Sequence, residues 1–153
     1  MGRTRELTRI LIGLGASAFG TDPFRGMQDA RRRMLSALDG VRAEFLEWKC
    51  VRVSSIYRSE RMGPDGSSVS DDIMLNACLE VYTLDGTVCD PVNSLRRLKA
   101  LETRLGRVQR ERWGPREIDL DLLCWDGQCL QTADLQLPHP GIQERPFVLL
   151  PLL

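Results

Sequence analysis

The sequence predicts an α+β fold, a two-layer sandwich in which helices pack on one face of a mainly antiparallel sheet. Three observations point there. Short, alternating, β-branched runs are interleaved with two stretches of 3.6-residue periodicity, in the order strand, helix, strand, strand, helix, strand. Each helical stretch starts with an Asp-Pro pair, Asp22-Pro23 and Asp90-Pro91, where the carboxylate caps and proline takes the first helical position. The 153 residues suit one domain spanning 1–153, enough to bury roughly two-thirds of the unfolded surface without staples.

The first strand is expected over residues 8–14, breaking into a loop at Gly13, Gly15 and Gly20. A helix follows from Asp22, with Phe24, Met27, Ala30, Met34 and Leu38 on its buried stripe and Asp39-Gly40 closing it. Residues 45–57 read as one long strand. Residues 59–72, with Gly63, Pro64, Gly66 and four serines, read as a mobile loop. The next strand, 74–83, puts Leu75, Ala77, Leu79 and Val81 on its core face and Asn76 on the other. The second helix buries Val92, Leu95, Leu98, Leu101 and Leu105 and stops at Gly106. Residues 118–125 form the last long strand, Asp126-Gly127 a tight turn, and 128–130 a short return strand. A proline-punctuated tail from Pro138 carries a helical turn at 144–150. This element order fits the ferredoxin-like type of sandwich.

Charge narrows the function classes. With 21 basic and 21 acidic residues the net charge is zero, so nothing draws the chain in bulk to nucleic acid or anionic membrane, and any phosphate must be held locally. Nine aromatics without a basic-aromatic strand motif also argue against an RNA-binding module. No apolar run approaches the ~20 residues a membrane span needs, and the charged residues 1–8 lack a following signal-peptide core, so a cytoplasmic location is expected. The cysteines at 50, 78, 89, 124 and 129 are odd in number, contain no C-x-x-C and share one histidine; buried thiols, rather than zinc ligands, are expected at Cys78 and Cys124.

The most informative segment runs Arg112-Trp113-Gly114-Pro115-Arg116-Glu117-Ile118-Asp119-Leu120-Asp121-Leu122-Leu123. Strand alternation sends Ile118, Leu120, Leu122 and Cys124 toward the helices and Asp119 and Asp121 the other way, ~6.5–7 Å apart. Paired carboxylates at that spacing ask for a cation, and oxygen-only donors suit a hard ion such as Mg²⁺ that shares its remaining positions with water and phosphate. Arg104, Arg107, Arg110, Arg112 and Arg116 crowd the approach, and the guanidinium fork matches phosphate oxygens. Asn76, on the strand face away from the core, carries the donors and acceptor needed to read a heterocycle edge.

Over nearly its whole length the chain resembles the 6-hydroxymethyl-7,8-dihydropterin pyrophosphokinases of folate biosynthesis. The matching pieces are Ser54-Ser55-Ile56-Tyr57 with Gly63-Pro64, Leu75-Asn76-Ala77, Leu101-Glu102, Gly106-Arg107-Val108, the 112–123 block, Pro138-His139-Pro140 and Arg145-Pro146-Phe147-Val148-Leu149. The resemblance implies ATP as co-substrate and two Mg²⁺ ions held by Asp119 and Asp121. It also implies attack of the pterin hydroxymethyl oxygen on the β-phosphorus, with AMP leaving. Arg107 and Arg116 would be catalytic phosphate holders. Lys99, Leu122, His139 and Arg145 would complete the ATP contacts, and Asn76, Met74, Trp113 and Phe147 would bind the pterin. The partners implied are these small molecules, with no nucleic acid and no membrane, and the chain is expected to be a monomer. Two positions depart from the family pattern: Met74 stands where an aromatic is usual, and Lys99 where an uncharged polar residue is common.

Overall fold

The computed structural model describes residues 7–84, 89–110, 114–144 and 151. Among these residues seven strands and three helices follow in chain order: β1 (Arg9–Ser17), α1 (Pro23–Glu44), β2 (Trp48–Val53), β3 (Tyr57–Met62), β4 (Ser68–Thr83), α2 (Pro91–Arg104), β5 (Asp119–Trp125), β6 (Leu130–Gln131), β7 (Gln136–Leu137) and α3 (Gly141–Glu144). The main sheet has the order β2-β4-β1-β5, with β3 pairing to the far end of the long β4, and every pairing is antiparallel. Helix α1 lies against β1 and β4 and α2 against β5, so both long helices pack on one face of the sheet. This is the sandwich that the element order predicts. Among the described residues, no helix is long and apolar enough to cross a membrane.

The core forms where alternation and periodicity meet. Ile10, Ile12, Leu14 and Ala16 of β1 are at most 4% exposed and face Leu75, Ala77, Leu79 and Val81 of β4 and Ile118, Leu120 and Leu122 next to them. Both Asp-Pro starts are helix caps: Asp22 accepts from the Phe24 and Arg25 amides, and Asp90 from those of Val92 and Asn93. Gly106, at φ +92°, sits just past α2 in the left-handed region that glycine tolerates.

Several expectations are corrected. Strand β1 does not break at Gly13 but runs to Ser17, because its glycines are paired on both sides. Helix α1 continues past Gly40 to Glu44, burying Gly26, Ala30, Met34, Ala37 and Val41, while Phe24 is 67% exposed. Gly40 does not end the helix; it is where α1 meets α2, since a Cβ there would lie 2.8 Å from Leu101 Cδ1. The long strand over 45–57 is two strands, its alternation lost at a bulge between Cys50 and Arg52 and interrupted at 54–56. Residues 59–72 belong to a β3–β4 hairpin, turned at Asp65, whose carboxylate accepts from the Ser67 amide and hydroxyl. The return strand after Gly127 pairs with β7 rather than β5. A second bulge, opposite Leu11 and Ile12, inserts Leu123 into β5, so Trp125 joins the core and Cys124 turns to the face that carries Cys78. Of the helical turn expected at 144–150, Glu144 ends α3 and the remainder lies outside the described residues.

Candidate active site

Strand β5 is an edge strand, and its outer edge is finished by side chains of α2. Glu102 accepts from the Leu120 amide (2.6 Å) and Lys99 donates to the Leu120 carbonyl (2.8 Å). That arrangement brings the two aspartates flanking Leu120 to one place. Lys99 Nζ lies 3.4 Å from Asp119 Oδ1 and 3.2 Å from Asp121 Oδ1, so a single cation reaches both carboxylates. The two acids therefore converge, as strand alternation predicts. Asp119 is the less exposed, with 14% of its side chain open against 36% for Asp121.

Three cations surround Asp119. Arg107 donates to its Oδ1 (2.8 Å) and to Glu102 (2.6 Å), while Arg116 donates to its Oδ2 (2.7 Å). Burial alone would raise the Asp119 carboxyl, but Lys99, Arg116 and Arg107 together hold it well below the usual carboxylate range. Burial opposes the charge of Lys99 in the same way, and Asp121, Asp119 and Glu102 outweigh it, raising the ammonium above its ordinary value. Lys99, Arg107 and Arg116 also line a cleft of about 340 Å³, with Arg110 and Thr103 on its walls. Its walls carry four cations together with Glu102, a lining whose guanidinium forks match the oxygens of a polyanion.

Beside the acids, β1 presents two glycines on its outward face, and the Leu123 side chain covers Gly13, lying 3.3 Å from where a Cβ would stand. Gly15 is paired with Asp119 on one side and Asn76 on the other, and Gly13 with Asp121 and Cys78. A Cβ at Gly15 would lie 3.3 Å from Asn76 Oδ1, 3.7 Å from Met74 Cε and 3.9 Å from Asp119 Cβ. Glycine in a central strand marks a close approach to backbone, and at Gly15 it leaves the Asn76 and Asp119 side chains free of a third between them. Asn76 is 7% exposed and donates to Ser59 Oγ (3.0 Å) from the neighbouring β3.

Comparison with known proteins decides between kinships for such a site. The model of the family described as 7,8-dihydro-6-hydroxymethylpterin-pyrophosphokinase matches residues 11–153. This chain belongs to that family. Proteins named 2-amino-4-hydroxy-6-hydroxymethyldihydropteridine pyrophosphokinase are similar to it from Synechocystis (42% identity over 66% of this chain), Aquifex aeolicus (29% over 96%) and Pseudomonas aeruginosa (33% over 95%). The matched part spans 47% of the Synechocystis protein's length and 79% of each of the other two.

The site of this pyrophosphokinase family member contains residues that the sequence brings forward and others that it does not. Asp119, Asp121, Lys99, Arg107 and Arg116 form one cluster, and Met74 and Asn76 lie across Gly15 from it. His139 hangs beside β5, its amide donating to the Leu123 carbonyl (2.8 Å). Its Nδ1 accepts from the Gly141 amide (3.0 Å), so the neutral ring carries its proton on Nε2. Leu122 is 1% exposed and its side chain belongs to the core, leaving only its main chain for a ligand. Trp113, Arg145 and Phe147 lie outside the described residues. Among the described residues no group of three or more His, Cys, Asp or Glu is arranged to hold a metal.

No place in the site was read from the sequence for Glu102, Gly13, Gly15, Ser17 or Arg33. Ser17 Oγ accepts from the Arg116 amide (2.9 Å), and Arg33 donates to the Ser17 (2.6 Å) and Glu117 (2.9 Å) carbonyls, fixing the backbone from which Arg116 projects. The alternation of Gly13 and Gly15 with Ile12, Leu14 and Ala16 was the available signal that β1 lacks side chains at two outward positions.

Proposed function

We propose that this protein transfers the pyrophosphoryl group of ATP to 6-hydroxymethyl-7,8-dihydropterin in folate biosynthesis. The pterin hydroxymethyl oxygen forms a bond to the β-phosphorus, the bond from that phosphorus to the oxygen bridging to the α-phosphate breaks, and AMP leaves. Family membership supports the reaction, and the convergence of Asp119 and Asp121 on one cation carries the assignment of the site. Two Mg²⁺ ions held by these acids would neutralise the triphosphate and keep it aligned for in-line transfer.

The chain's own residues supply position and charge. Arg107 and Arg116, in the cationic cleft beside Asp119, hold phosphates; Lys99 and the main chain of Leu122 extend that contact. His139 and Arg145 hold the nucleotide on the side away from the pterin, with the His139 Nε2 proton as donor. Asn76 reads the pterin edge, Met74 packs on the ring through its soft thioether, Phe147 stacks on the other side and Trp113 closes with its loop. The reading extends to one pyrophosphokinase domain over residues 1–153, working as a monomer in the cytoplasm on these small molecules, with no nucleic acid or membrane partner.

The test is AMP release from ATP, Mg²⁺ and hydroxymethyldihydropterin. Asp119→Ala is expected to lower turnover on the order of 100-fold or more, the scale of several kcal/mol of lost charge stabilisation, with an unchanged circular dichroism spectrum. A rate near that of the unmodified protein would remove Asp119 from the reaction.

A further inference from the structure

The ammonium of Lys99 reaches four oxygens around the acid pair. Its Nζ lies 2.8 Å from Glu102, 3.4 Å from Asp119, 3.2 Å from Asp121 and 2.8 Å from the Leu120 carbonyl. Among the described residues three formal positive charges (Lys99, Arg107, Arg116) meet three formal negative ones (Glu102, Asp119, Asp121), so these six groups balance one another. A divalent ion arriving by itself brings two charges into a neutral cluster and must push aside an ammonium already seated on both carboxylates. The same ion arriving with a triphosphate brings its own counter-charge. That triphosphate also offers Lys99 a new set of oxygens, because Lys99 lines the cationic cleft and its side chain is 39% exposed on a flexible four-carbon stem.

We propose that Lys99 is a built-in rival of the divalent ion, so that the Asp119–Asp121 pair takes up metal together with a nucleoside triphosphate and resists it alone. The inference rests on the metal role given to the two aspartates under the proposed function. Arg107 and Arg116 complement this role. They hold Asp119 from other directions and stay in place to receive phosphate, whereas Lys99 lies across the gap between the two acids.

Mn²⁺ provides the direct probe, its free concentration read by electron paramagnetic resonance, with no turnover involved. In the absence of nucleotide, Lys99→Gln is expected to bind Mn²⁺ more than about tenfold tighter than the unmodified protein. Even at the dielectric of water, a unit charge about 5 Å from a divalent ion is worth that factor. Lys99→Arg, which keeps the charge, is expected to stay as weak as the unmodified protein. Adding a non-hydrolysable ATP analogue should narrow the gap between Lys99→Gln and the unmodified protein. Lys99→Met, equally uncharged, repeats the test should the glutamine variant melt at low temperature. Unchanged or weaker Mn²⁺ binding by both uncharged variants would overturn the proposal and make Lys99 a brace for the acids. Tight Mn²⁺ binding by Lys99→Gln that persists when Asp119 is also changed to Ala would instead place the ion elsewhere, overturning the aspartate reading and this inference together.

Discussion

Glu102 is 2% exposed and closes the outer edge of β5, and its substitution tests whether α2 holds the acid-bearing strand in place. Alanine there would leave the Leu120 amide without its acceptor, a loss of about 1–3 kcal/mol for a buried group. It would also take a partner from Lys99 (2.8 Å) and Arg107 (2.6 Å). Removing one member of such a buried cluster typically costs about 3–5 kcal/mol in all. For a chain of this length that corresponds to a fall in Tm of about 10 °C. Glutamine separates the two contributions. Burial pushes the Glu102 carboxyl up despite Lys99, so the ionised form gains little from being inside, and the acceptor matters more than the charge. Glu102→Gln keeps an acceptor for Leu120 and should cost only about 1–1.5 kcal/mol. Urea unfolding at pH 7 followed by circular dichroism measures both variants. Equal losses would show that the ion pairs, not the edge cap, hold the strand, and losses below about 1 kcal/mol in both would show that α2 does not hold it at all.

Two further measurements address the sheet face opposite the helices. Glu80, 5% exposed, is held below its ordinary value of 4.5 by hydrogen bonds from Arg52 and then Arg9. A depressed carboxyl stabilises the fold above its unfolded pKa and loses that contribution as pH falls through the folded value, so Glu80→Gln should be less stable than the unmodified protein at pH 7, with a gap that narrows as pH falls below 4.5; a gap that acidification leaves unchanged would refute the linkage. Burial raises the Cys78 thiol to about 12, whereas Cys129 is exposed. Ellman's reagent followed by peptide mapping at pH 8 should therefore modify Cys129 first and Cys78 only after unfolding, and early labelling of Cys78 would show that this face opens.

Much of the frame was legible because its signals are local. The Asp22 and Asp90 caps, the core face of β4 and the acid-x-acid pattern at 119–121 depend on spacing within a few residues, and the structure has them as read. What escaped depends on partners distant in sequence. Gly40 looks like a helix stop until α2 is placed against it. The serine-rich stretch 59–72 looks like open loop until β4 supplies a ladder for it. The Leu123 bulge is set by the pairing with β1, so alternation counted along the strand alone misassigns Cys124. Glu102 and Lys99 belong by sequence to an ordinary amphipathic helix, and only the edge position of β5 gives them a main chain to cap.

Strand β1 shows how one segment serves two demands. Its inward face, Ile10, Ile12, Leu14 and Ala16, is almost wholly buried and carries the core between both neighbouring strands. Its outward face gives up side chains at Gly13 and Gly15, each a loss of roughly 0.5–1 kcal/mol relative to alanine in a regular element. That loss falls beside the acids: Gly13 is opposite Asp121 and Gly15 opposite Asp119. A β-branched residue at Gly15 would strengthen the strand, yet it would fill the space bounded by Asn76, Met74 and Asp119. The stability of the centre of the sheet therefore rests on one face of β1, while the other stays low at Gly15 and is covered by Leu123 at Gly13.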